Sequence, residues 1–148
     1  MKGFRYSYQK IIDLKSSEKS QAEWVLSSAL TRLQAEEMSL SELRMTRQEW
    51  ESKQLHSAQA GVSLSELQTV QHYLDYIDSC IEKKALDVRR AEGAVSLSRS
   101  GLSDKVKAEK VWLRAKDTAQ QRFRYTAQLK EQNELDELAT VRYLVQAQ

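Results

Sequence analysis

Ala60-Gly61-Val62-Ser63-Leu64-Ser65-Glu66-Leu67 is the one stretch of this 148-residue chain where a long helical pattern is told both to stop and to restart. Gly61 suits the left-handed position just past a helix C-terminus, because it lacks the Cβ that penalises positive φ. Ser63 followed by Glu66 is a capping box, in which Ser63 accepts from the N–H three residues on and Glu66 reaches back. Val62 and Leu67 stand at the two positions whose side chains close over such a cap as a hydrophobic staple. So few residues are left for the turn that the two helices must return on each other as an antiparallel hairpin.

Composition points the same way. Charged residues make up 30% of the chain and its mean hydropathy is −0.64, so the apolar side chains must form a narrow seam rather than a broad core. There is no proline and there are only four glycines, which removes the usual breakers and fits long helices without strands. No apolar run approaches the ~18 residues that cross a bilayer, and the N-terminus lacks a hydrophobic signal core, so a cytoplasmic protein is expected. The single cysteine, Cys80, cannot form an internal disulfide. A net charge of +2 with both signs interspersed is a poor argument for nucleic acid, which calls for a concentrated basic face.

In chain order, Phe4, Tyr6 and Tyr8 precede the first sustained helical pattern. Apolar positions then return at Ile11, Ala22 and Leu33, with Leu26, Ala29 and Leu40 on the same side, a mixture of eleven- and seven-residue spacing. Ser39-Leu40-Ser41-Glu42-Leu43 repeats the letters of the capping box, but no glycine precedes it and the helix is expected to continue. After the turn, Leu67, Leu74, Ile81, Val88, Val95 and Leu102 recur every seven residues, with Val70, Ile77 and Ala91 on the alternate seam position. Lys84 and Ser98 interrupt that alternate position. Gly93, Gly101 and the serines from Ser96 to Ser103 mark a soft point or a bend, beyond which the register slips. The expected organisation is all-α: a single antiparallel coiled-coil domain with a helix over about 5–59, a turn at 60–63 and a helix over about 64–146.

A hairpin turning here pairs residues whose numbers sum to roughly 123, which sets Trp50 beside Tyr73 and Leu43 beside Cys80. The chain from Phe123 on is then left as an overhanging single helix, and the stretch 104–130 leading into it holds eight Lys/Arg against three Asp/Glu. Such a charge run is most simply a solvated face.

No catalytic constellation emerges. His72 and Asp75 lie three apart with Cys80 further along, a spacing too common to mark a metal site, and there is no phosphate loop or paired-acid set. A narrow coiled coil also lacks a concave pocket that could exclude water from a reaction. No enzyme activity, cofactor or metal is expected. What stands out is an aromatic cluster near the turn, Trp50 with Tyr73 and Tyr76, forming with Leu43, Ile77 and Cys80 a stripe beside the seam. Periodicity alone allows two readings, a docking surface for a partner or an aromatic seal over the seam.

Three pieces of sequence resemble the flagellar export protein FliJ family and its counterparts in virulence type III secretion. They are Phe4-Arg5-Tyr6 with Gln9-Lys10-Ile11-Ile12-Asp13-Leu14-Lys15 and Glu18-Lys19; the Gly61 turn with Gln71, Tyr73 and Leu74; and Glu131-Gln132, Asp136-Glu137, Ala139 and Arg142-Tyr143. The resemblance implies a stalk-like hairpin that sits in the pore of the hexameric export ATPase and contacts the cytoplasmic domain of the export gate protein. It allows export chaperones as further partners and places the protein at the flagellar basal body, peripheral to the inner membrane. Carried over by spacing from the turn, the family's gate-binding face falls on Leu43, Trp50, Tyr73, Ile77 and Cys80. The ATPase end falls on the paired terminal segments, with Phe4, Ile11, Phe123, Leu135 and Leu138 as candidate contacts. The alternatives from the residues themselves are a generic structural coiled coil and a spectrin-like three-helix module with a second turn at Gly101.

Overall fold

The computed structural model describes residues 3–147, and among them there are two helices and no strand: α1 (Gln9–Ala60) and α2 (Leu64–Gln146). They are joined by the turn that the capping signals dictate. Gly61 is at φ 79°, and the Val62 N–H donates to the Ser57 carbonyl at 3.3 Å, the six-to-one bond of a Schellman stop. The restart is made by the Ser63 hydroxyl, which accepts from the Glu66 N–H at 3.3 Å, while the Ser63 carbonyl accepts from Leu67 at 3.2 Å.

Helix α1 begins at Gln9, four residues later than the sequence suggests. Its first bonds run back to the carbonyls of Tyr6 and Tyr8, while the rings of Phe4, Tyr6 and Tyr8 pack in series and Phe4 and Tyr8 also meet rings of α2. Packing the aromatics in this way outweighs about one more turn of exposed helix.

The seam on α1 is simpler than its apolar letters suggest. Buried or half-buried positions run from Ile12 to Ser57 in alternating steps of three and four, a strict heptad pattern in which Lys15, Lys19, Glu36, Arg47, Gln54 and Ser57 take seam places. The mixture of spacings arises because these polar residues are invisible to a hydrophobic count. It also moves the first seam residue from Ile11, which is half-buried, to Ile12, which is 6% exposed. On α2 the heptads hold from Leu67 to Leu102, with Leu74, Ile77, Val88, Ala91 and Val95 buried. Val106 then follows Leu102 by four, just as Leu102 follows Ser98, and this stutter is the slip of register. Helix α2 continues through Gly101, which excludes the spectrin-like second turn, and α1 continues through Ser39-Leu43.

The chain divides into two compact units: Gln21–Ser103, and Met1–Ser20 with Asp104–Gln148. In the first, Gln54 meets Gln71, Arg47 meets Asp78 and Glu36 meets Lys84, so partners move apart along the sequence as in any antiparallel pair. Lys84, the residue that interrupts the seam, lies 3.0 Å from Glu36, which occupies a seam place on α1. That bond, together with the Asp87 carboxylate, raises the Lys84 ammonium above its usual range. In the second unit, Lys19 meets Glu109 at 2.9 Å and Lys105 meets Glu18 at 3.3 Å, and each bond lowers its carboxylate from the ordinary value. Polar layers of this kind cost stability but fix which residues face each other.

Candidate partner-binding surfaces

The first surface lies near the turn, within the unit Gln21–Ser103. Trp50 takes a seam position on α1, and the Tyr73 ring packs against its edge with centroids 4.7 Å apart at 62°. The Lys53 ammonium sits 4.7 Å from the Trp50 ring centroid, held by the negative face of the indole. Around this pair Gln54 donates to Gln71, Gln71 donates to Asp75, and Arg47 bridges Glu51 and Asp78. The two rings of the pair are therefore divided between the seam and the surface. Trp50 closes the seam, and Tyr73 remains 39% exposed beside Tyr76, which is 65% exposed.

The other members of the stripe are placed unequally. Leu43 is half-buried in the seam, and Cys80 is half-buried beside Tyr76, whose hydroxyl is pushed up by its hydrogen bond to the thiol. Ile77 is only 3% exposed, so it supports the stripe from beneath and cannot itself touch a partner while the seam is closed. Its seven-residue spacing with Val70 and Lys84 already marks it as a seam residue.

The second surface lies in the unit formed by the chain ends. Phe4 packs on Phe123 at 5.5 Å and Tyr8 on Trp112 at 5.7 Å, and Lys116 donates to Gln9 at 2.7 Å. Phe4, Arg5, Ala119, Arg122, Phe123 and Thr126 line an open cleft. The residues preceding α1 thus extend the cover over α2 to Phe123, which makes Phe4 and Phe123 partners of each other. Ile11 is half-buried at the edge of this contact. From Gln128 to Ala147 every residue of the chain is exposed, so the overhang begins at 128 rather than at 123. It carries Leu135, Leu138, Val141 and Val145 bare, Leu135 and Leu138 each at 60%.

A third apolar stripe went unread in the sequence. Trp24, Met38 and Met45 are exposed at 73%, 58% and 59%, and with Thr31 they recur every seven residues on the side of α1 away from its seam. A heptad count made at every phase, not only the strongest, would have found it.

Among the described residues no group of three or more His, Cys, Asp and Glu side chains could hold a metal ion, and His72 and Asp75 are both exposed. No helix among them is long and apolar enough to cross a membrane.

The chain matches the family described as the flagellar FliJ protein over residues 4–148. Among solved structures it is similar to a chain described as a YscO homologue, CT670 from Chlamydia trachomatis, with a TM-score of 0.66 at 17% identity, covering 99% of both chains. Likeness at that identity speaks for the two-helix fold. No curated protein matches the chain.

Proposed function

The chain belongs to the FliJ family, whose members are components of flagellar and type III protein export, and from that premise we propose that it is a stalk joining the hexameric export ATPase to the export gate. The observation that carries the reading is the overhang. A single helix that leaves Leu135, Leu138 and Val145 in water is costly in a free chain and is relieved when another protein covers it. The ATPase pore is the cover that the family suggests. Inside it, one helix would meet six similar subunits and could act only by binding their conformations unequally, which shifts assembly or turnover while ATP hydrolysis remains with the ring. The second contact is the gate's cytoplasmic domain, received by Tyr73 and Tyr76 over the Trp50 ring, with Leu43 and Cys80 flanking them. Export chaperones are further partners of the same apparatus. The protein would then work at the cytoplasmic side of the inner membrane, at the basal body.

The test is direct binding of the full chain to the export ATPase and to the gate's cytoplasmic domain, with a Trp50→Ala/Tyr73→Ala variant beside it. The reading expects both partners to bind and the variant to lose more than about 2 kcal/mol towards the gate alone, as buried aromatic anchors commonly do. Unaltered gate affinity with a large fall in melting temperature would mean that the two rings only seal the seam.

A further inference from the structure

We propose that the exposed C-terminal segment of α2, residues 128–146, is a self-complementary interface on which a second copy of this chain docks antiparallel. Gln128, Glu131, Leu135, Leu138, Arg142 and Val145 return in steps of three, four, three, four and three, which places all six on one helix face. Every one of them is exposed, and none of the described residues buries them. The order of steps reads the same in both directions, so a reversed copy meets the face with matching spacing.

The side chains match as well. In that alignment Leu135 lies against the partner's Leu138, Glu131 against the partner's Arg142 and Gln128 against the partner's Val145, and each layer occurs twice about a two-fold axis. Two apolar layers stand at the centre, an ion-pair layer flanks them on either side, and a Gln–Val layer closes each end. A parallel pairing would set Glu131 against Glu131 and Arg142 against Arg142, so the charge order itself selects the antiparallel arrangement. Asp136 and Glu137 lie off this face. The hairpin seam already contains a layer of the same kind, since Lys19 and Glu109 both hold seam positions and meet at 2.9 Å. The contact is short, about five turns of helix, so it forms by mass action at high concentration and is readily exchanged.

The inference rests on the face itself and not on the export reading. It has a consequence for that reading, since the paired copies would cover the same leucines that are offered to the ATPase.

Sedimentation equilibrium of the full chain from micromolar to millimolar concentration tests it. A concentration-dependent dimer is expected. Glu131→Arg alone sets like charges in two layers and should weaken association about tenfold or more, and Glu131→Arg with Arg142→Glu should restore it to within about threefold. Both positions of the swap are exposed helix, so circular dichroism should not change. In a Cys80→Ser background, Leu135→Cys mixed with Leu138→Cys should form a disulfide between copies more readily than either variant with itself. A chain that stays monomeric throughout, a double swap that fails to restore the dimer, or a preference for cross-links between like positions would each overturn the proposal.

Discussion

At the scale of single residues, the turn is controlled by backbone conformation rather than by space. A Cβ built on Gly61 would meet nothing within 4 Å, so the penalty for replacing it comes entirely from φ at 79°. Gly61→Val should therefore lower hairpin stability by about 1 kcal/mol or somewhat more, because a β-branched residue is poorly suited to positive φ. Gly101 has the same open surroundings but lies inside α2 with ordinary helical φ, so Gly101→Ala should raise stability by about 1 kcal/mol. Thermal melting of the two variants should thus move in opposite directions from the parent. Equal shifts, or none at Gly61, would mean that the left-handed position is not what sets the turn.

At the scale of the helices, what was legible in the sequence was the signal carried by backbone chemistry and by apolar repeats. The stop at Gly61, the restart at Ser63 and the heptads from Leu67 to Leu102 all stand in the structure. Less legible was the seam of α1, where Lys19, Glu36 and Arg47 occupy core places and hide a regular heptad from any reading of hydrophobic letters. Of the candidate surfaces, the Trp50–Tyr73 pair could be derived from the hairpin register, whereas the contact of Phe4 with Phe123 depends on a non-helical segment and follows no helical period. The charged layers predict how the seam answers to pH. Glu18 and Glu109 are held below the ordinary carboxylate value of 4.5, so their contribution is complete above that value and is lost as pH falls through their lowered folded values. Lys84 is raised above 10.5, so its contribution is complete below that value and is lost as pH rises through its raised folded value. Melting temperature should accordingly be flat across neutral pH and fall at both extremes. Glu109→Gln should make the acid limb shallower, and an acid limb identical to the parent's would show that Lys19 and Glu109 do not pair in solution.

At the scale of the whole molecule, the two candidate surfaces differ in kind. The aromatic pair near the turn belongs to the seam, so a partner there reads a surface that folding has already built. The C-terminal overhang belongs to no seam, and its removal should leave the hairpin intact because residues 128–147 are all exposed. This separation allows one truncation to isolate the proposed stalk. The measurement is the rate of ATP hydrolysis by the export ATPase with the full chain and with a chain lacking residues 128–148, each checked for binding to the gate's cytoplasmic domain. The account predicts that the truncated chain still binds the gate through Tyr73 and Tyr76 but no longer stimulates the ATPase. Equal stimulation by the two chains would contradict it.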